Sequence, residues 1–414
     1  MTKTENLNVR RYDLDWLRVL AILLVLLYHV GMFFVHWDWH VKNNVTSRAF
    51  GYVMIWLHYW RMPLLLFISG AGTIFASARR SKGEFTLERS KRLLIPLIFA
   101  MFVIVPPQIY FERIKDFTSY FNFYPTVFEF VPYPMGGSFS WHHMWFVLYL
   151  FVFSIIAIPL ISYLKSDKSR NFITWIENYL SRKWGFLSYI ILITITQVIL
   201  RPYFPDETHS LIDDWAYFTF CFTFFVAGIM VASSDRLWNI LLQKRRFHLY
   251  IALISLGLMQ FLYAVDWNII QPYLRVDLET IWDVNAIIVA WSWVLAIVGY
   301  GRKYLNKNSK LLKYSNEGIY PFYILHQTVI IAFAYTMIDW SAGIIVKFML
   351  LTFLSFVVTV GIYALFIRPF NFTRFLFGMK PKKKLVEDIQ VYKPILPVLD
   401  TTHNTISEKI KLDH

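Results

Sequence analysis

Apolar runs about as long as a bilayer is thick recur from one end of this chain to the other, and they leave few folds open. A hydrocarbon core of about 30 Å needs roughly 20 apolar residues in helix, because lipid offers no partner to an unpaired backbone group. Such runs fall at 14–35, 52–77, 93–111, 142–164, 185–201, 214–233, 247–265, 281–300, 317–338 and 343–367. They predict an all-α integral membrane protein of about ten transmembrane helices. Hydrophobic residues form 57% of the 414 and charged ones only 16%, which excludes a soluble multidomain protein. The second run is the least regular, because Arg61 and Pro63 interrupt it. Either it spans, or "GYVMIWLHYWR" lies along the interface before a short span from Met62, with Pro63 starting or kinking a helix. The first run is too long for a signal-peptide core and lacks a small-residue cleavage site, so it is expected to remain as a span.

The formal charge of +14 sits between the apolar runs and not on one polar face, so it sets topology and does not point to nucleic acid. Arg79, Arg80, Lys82, Arg89, Lys91 and Arg92 crowd the second loop, and further Lys and Arg gather at the N-terminus and in every second loop after it. Both termini are therefore expected on the cytoplasmic side. Residues 1–378 form the membrane domain, and 379–414, with "KPKKK", is expected to be a disordered tail resting on anionic membrane lipid. The single cysteine, Cys221, lies inside an apolar run and reads as a small buried residue. The loop 112–141 is rich in aromatic residues, as an interfacial belt or a sugar-stacking platform would be.

Four charged or titratable residues interrupt the first span. "DLDWLRVLAILLVLLYHVGMFF" opens with Asp13 and Asp15, carries Arg18 a turn later and His29 near its far end. At about 100° per residue, Arg18 and His29 come within about 20° of one face, and a rise of about 1.5 Å per residue sets them roughly 16 Å apart. An ionisable group at that depth costs at least about 2.5 kcal/mol unless a partner or polar cavity receives it. Arg18 alone could snorkel to the headgroups with Asp15 as partner, and His29 alone could be a neutral imidazole bonded between helices. Asp13 and Asp15 are expected to pair with Arg18 or Arg11. Farther on, "MPLLLFISGAG" places Ser69 beside glycines that equally suit close helix packing. "FSWHHMWFVLYL" sets His142 and His143 at the outer start of the fourth span, and "YSNEGIYPFYILHQT" sets Glu317 at an inner end with His326 nine residues deeper. No histidine pair has the i, i+4 spacing with a nearby carboxylate that a zinc-protease helix uses, so no metal is expected.

The first span, with Arg18 and His29 in "LDWLRVLAILLVLLYH", resembles the signature of the membrane acyltransferase-3 family, bacterial integral-membrane enzymes that O-acylate surface and periplasmic sugars. Four further segments agree in order: "MPLLLFISG", "ERSKRLLIP" with Arg89 and Arg92, "HMWFVLYL" and "YPFYILHQT". Together they cover nearly the whole core. "VPPQIYFER" and "LAIVGYGRKYL" look most like the branch that includes glucan-modifying succinyltransferases. The resemblance implies acyl-CoA as a co-substrate entering from the cytoplasm, no permanently bound cofactor, and a glycan or similar hydroxyl acceptor at the cell membrane. Arg18 and His29 are then the transfer residues, and Arg89 and Arg92, with Arg18, the donor site. Six basic residues facing Glu84 and Glu88 can bind CoA phosphates through charge-assisted hydrogen bonds, or serve topology alone.

His29 is expected to act as a general base on a sugar hydroxyl or to attack the thioester itself. Ser69, His143 and Trp145 are candidates to receive the oxyanion, with Arg61, His326 and Glu317 as further acceptor-side residues. No soluble acceptor-binding domain is expected, which leaves acceptor recognition to the aromatic loop and the outer helix ends. The rivals are a transporter or flippase for a lipid-linked sugar or organic anion, with Arg18, Arg61 and His29 along its pathway, and a non-catalytic scaffold. Transporters carry broken helices at corresponding positions in two halves, and only the second run shows such a break.

Overall fold

Every apolar run becomes helix, and a computed structural model describes residues 10–78 and 80–382. The tail expected from residue 379 lies outside the described residues beyond 382. The main helices are α1 (Tyr12–Met32), α2 (Arg48–Ser77), α3 (Lys82–Glu112), α4 (His142–Ile156), α5 (Ile158–Lys165), α6 (Arg170–Ser181), α7 (Tyr189–Leu200), α8 (Trp215–Ala232), α9 (Asp235–Ala264), α10 (Leu278–Tyr304), α11 (Lys310–Met337), α12 (Ile344–Ile367) and α13 (Asn371–Leu376). Among the described residues, seven helices are long and apolar enough to cross a membrane, and α4 with α5, bent by 48°, would make an eighth. The bend falls at Ala157, two residues before Pro159, which cannot donate to the preceding turn. The other two expected spans, α2 and α7, are helical but fall outside that measure. α7 is a shorter apolar helix of 12 residues.

α2 is one unbroken helix of 30 residues that passes straight through Pro63. The alternative in which its first half lies on the interface is therefore set aside. Its surroundings explain its composition: α2 packs against α1, α8 and α10, which shield it from lipid and let it carry His58 and Arg61. The contact with α8 depends on two glycines. A Cβ on Gly70 would collide with the Phe225 carbonyl, and one on Gly228 with the Phe67 carbonyl, so the two backbones touch, as small residues allow in membrane bundles.

α3 widens into π-helical turns at Ser90–Leu94 and Ala100–Ile104, just before Pro96 and Pro106. Prolines free carbonyls from the ladder, and in a membrane these need other partners. Tyr124 Oη donates to the Phe102 carbonyl at 2.9 Å and Thr328 Oγ1 to that of Ile104 at 2.6 Å.

One end of the bundle gathers basic residues. The start of α1, the end of α2, the end of α5, the α8–α9 junction and the end of α10 surround a cavity of about 730 Å³ lined by Arg11, Lys165, Arg236 and Arg302 among others. Arg11 makes a bidentate pair with Asp13 (2.9 and 2.6 Å), and Arg10 binds Asp15 at 3.0 Å. Both aspartates thus serve the basic end, and Asp15 also reaches Arg18 at 3.7 Å.

Candidate active site

α1 and α11 pack together, and their contact brings a half-buried histidine of α1 face to face with a fully buried one of α11. His29 Nδ1 lies 2.9 Å from His326 Nε2, with the rings stacked 5.1 Å apart. His326 Nδ1 faces the Tyr323 carbonyl at 2.5 Å. A carbonyl only accepts, so Nδ1 of neutral His326 carries the proton and its Nε2 is a lone pair. His29 must then donate through Nδ1, which leaves His29 Nε2 unprotonated. This tautomer is assigned from the hydrogen-bond pattern. Nε2 makes no hydrogen bond among the described residues. A free imidazole lone pair, oriented through the other ring nitrogen, is the arrangement of a general base in a catalytic triad.

His143 is adjacent but fully engaged. Its ring meets His326 edge-on at 5.5 Å, its Nε2 is 3.0 Å from the Ile324 carbonyl, and its Nδ1 takes a long 3.4 Å contact from Gln108 Nε2. Gln108 also bonds Thr328 Oγ1 at 2.7 Å and accepts from Gln327 Nε2 at 3.1 Å. With both nitrogens occupied, His143 holds α4 against α11 and has no donor to offer an oxyanion.

Arg61 meets that need better. Its guanidinium carbon lies over the Tyr28 ring, 3.4 Å from the centroid, and Nη1 donates to the His58 carbonyl at 2.7 Å. Its Nε is buried without a hydrogen-bond partner, and its charge reaches His29, the residue after Tyr28. Tyr28 Oη is 3.1 Å from His58 Nδ1. His58 in turn opens onto a cavity of about 340 Å³ lined by Tyr59, Arg201, Glu207, Tyr217 and Asp283 among others. Arg201 bonds Glu207 at 3.1 Å. Carboxylates, a guanidinium and tyrosine rings around such a volume suit a polyhydroxylated ligand.

Trp145 belongs to a separate aromatic group. It stacks on His209 at 4.4 Å and packs against Tyr149 and Tyr217, and no contact among the described residues joins it to His29. His209 lies in the loop before α8, where burial first and then the Arg61 charge push its imidazole down to about 3. Glu317 lies far from this chemistry: it pairs with Arg374 at 2.8 Å and Arg368 at 3.7 Å, clamping α13 at the basic end. The rings of the loop 112–141 pack on one another and on Phe102 and Tyr110 of α3, and leave Phe121 and Phe130 exposed.

The second half of the candidate site is cationic. Arg18, Arg89 and Arg92 lie close enough for their charges to act on one another. A Cβ on Gly72 would sit 3.3 Å from Arg18 Nη2, so the guanidinium rests against that glycine. Arg89 Nη2 donates to Thr73 Oγ1 at 3.2 Å, and Arg92 approaches Glu88 at 3.6 Å. Among the described residues, Asp15 and Glu88 are the carboxylates against these three guanidiniums, and they are shared with Arg10 and Arg80, so excess positive charge remains that suits a polyanion. Ser69, one turn from Gly72, is within roughly 4.5 Å of the Arg18 level and so lies nearer the cations than His29.

His58 and Gln108 escaped sequence reasoning because their partners come from other helices, and Glu207, paired locally with Arg201, because only the fold brings it to within 3.9 Å of His58. The one local sign was a histidine and an arginine on the same stretch of α2.

No solved structure matches the chain. Glucans biosynthesis protein C from Salmonella heidelberg and from Salmonella dublin is 25% identical over 158 residues, covering 37% of this chain and 40% of the relative. The chain thus aligns with less than half the length of these curated relatives. A family model described as an acyltransferase domain matches residues 11–368. With the His29–His326 pair and the Arg18, Arg89 and Arg92 cluster both inside that range, the chain belongs to the acyltransferase-3 family of membrane acyltransferases.

Proposed function

We propose that this chain is an O-acyltransferase of the cytoplasmic membrane that moves an acyl group of the acetyl or succinyl class from acyl-CoA to a hydroxyl of a surface or periplasmic glycan. The observation that carries the reading is His29 itself: its Nδ1 is fixed by His326 at 2.9 Å, and it shares a helix with Arg18 at the cationic cluster. The basic end faces the cytoplasm by the distribution of Lys and Arg. CoA phosphates bind Arg18, Arg89 and Arg92, and the thioester arm follows α1 over roughly 16 Å to His29.

His29 Nε2 takes the proton of the acceptor hydroxyl as its oxygen attacks the thioester carbonyl. The tetrahedral oxyanion lies against Arg61, whose Nε is unpaired. Collapse breaks the carbon–sulfur bond, and the His29 imidazolium returns its proton to the departing CoA thiolate. The name of the Salmonella relatives supports a glucan among the possible acceptors, and the cavity beside His58 suits a sugar.

Detergent-purified protein incubated with labelled acyl-CoA and a glycan extract tests the reading. Free CoA and labelled glycan are expected together. A transporter or scaffold would leave the donor intact, and that outcome refutes the proposal.

A further inference from the structure

Acyl transfer as described leaves unused a cluster at the end of the bundle opposite the basic one. His40 lies in the loop 33–47, Glu112 ends α3 and His142 begins α4. The candidate ligand atoms of the three all fall within 4.8 Å of one another. His40 Nδ1 is 2.6 Å from Glu112 Oε2, and the His40 and His142 rings stack at 4.7 Å. A second layer braces each from behind. Gln327 Nε2 reaches His40 Nε2 at 3.2 Å, Tyr133 Oη donates to Glu112 Oε1 at 2.6 Å, and Ser140 Oγ is 2.7 Å from His142 Nδ1. Partners of this kind fix ligand orientation and tautomer at metal centres.

Two features of His142 call for a ligand. Its Nε2 is buried with no hydrogen-bond partner, a state folded proteins seldom leave unanswered. Its φ is 40°, in the left-handed region that side chains other than glycine rarely adopt. Such strain persists where the surroundings impose it, often at functional sites.

We infer that His40, Glu112 and His142 bind a zinc-class divalent ion through His40 Nδ1, Glu112 Oε2 and His142 Nε2, with a fourth position open to water. Two imidazoles and one carboxylate form a three-residue zinc set, whereas calcium and magnesium prefer oxygen throughout. Ligands about 2.0–2.1 Å from a tetrahedral ion lie roughly 3.3 Å apart. The cluster therefore tightens on binding, and the His142 ring turns out of its stack. The His40 proton, now on Nδ1 facing Glu112, moves to Nε2, where the Gln327 amide oxygen accepts it once that amide turns and gives up its bond to Gln108. His142 Nδ1–H donates to Ser140, and no proton leaves the protein. The ion would fasten the 33–47 loop to α3 and α4. Spacing along the sequence hides the site because its ligands lie 72 residues (His40 to Glu112) and 30 residues (Glu112 to His142) apart.

The test uses the full-length protein, purified in detergent without chelator or a polyhistidine tag, equilibrated with zinc sulfate and dialysed before elemental analysis. About one zinc per chain is expected. His142→Ala and Glu112→Gln should weaken binding at least 10-fold, while Tyr133→Phe, which keeps all three ligands, should weaken it by about 10-fold. Gel filtration reports whether each variant folds. Should the ligand variants fail to fold, the Tyr133→Phe affinity decides. Zinc below about a tenth of an equivalent in the unaltered protein, or equal zinc affinity in every folded variant, would overturn the inference.

Discussion

His29 Nδ1 and His326 Nε2 face each other at 2.9 Å, and the Tyr323 carbonyl behind His326 decides which of them holds the shared proton. A backbone carbonyl cannot donate, so the whole pair is oriented from α11 and His29 points a bare nitrogen away from it.

Removing His326 should therefore leave His29 in place but unoriented. His326→Ala is expected to lower kcat by on the order of 10²- to 10⁴-fold, as loss of the orienting group does in hydrolytic triads, with little change in KM for the donor. His326→Gln, whose amide oxygen can accept from Nδ1–H, should retain more activity than Ala. Initial rates of CoA release across donor concentrations separate kcat from KM, and equal losses in the two variants would argue against an orienting role.

Arg61 offers a different signature. Its stacking on Tyr28 at 3.4 Å and its unpaired Nε make it the donor to charge that exists only in the transition state. Arg61→Gln should cost on the order of 10²-fold in kcat and leave donor KM nearly unchanged. A rise in donor KM with kcat intact would place Arg61 in binding instead.

Arg89 should behave in the opposite way. One charge-assisted hydrogen bond contributes about 1.5–3 kcal/mol, so Arg89→Gln should raise donor KM by roughly 10- to 100-fold with a smaller effect on kcat. Added salt should weaken donor binding in the unaltered protein more than in the variant. Equal salt sensitivity would indicate that Arg89 serves only topology.

Much of this arrangement could be read before the fold was known, and the remainder has a common cause. The apolar runs, the basic loops and the alignment of Arg18 with His29 depend on residues close in sequence, where helical periodicity and bilayer thickness are sufficient guides. Glu317 reads as an acceptor-side residue alongside His326, yet nine residues of helix, about 13.5 Å, separate them and leave Glu317 paired with Arg374 at the basic end. Pro63 and Arg61 looked like a break because a lipid-facing helix could not carry them. α2 is wrapped by its neighbours, so it can. The pairing of His29 with His326 spans 297 positions, a distance over which sequence spacing says nothing.

His209 predicts a limit on acid tolerance. Its imidazole titrates near 6.5 in an unfolded chain but at about 3 in the fold. Above about 6.5 both states are neutral and the group has no pH effect. As pH falls from there toward 3, the unfolded chain binds a proton that the folded one refuses, so stability declines. His209→Phe, which keeps a ring on Trp145, should show a smaller drop in Tm between pH 7 and pH 4.5 than the unaltered protein. Identical drops would count against the shift.

That His29 takes the acceptor's proton is tested most directly by CoA release from labelled acyl-CoA with His29→Ala in matched membranes. Release is expected to fall to the level of membranes lacking the protein, with yield and gel-filtration profile unchanged. Release at the unaltered rate would contradict the assignment.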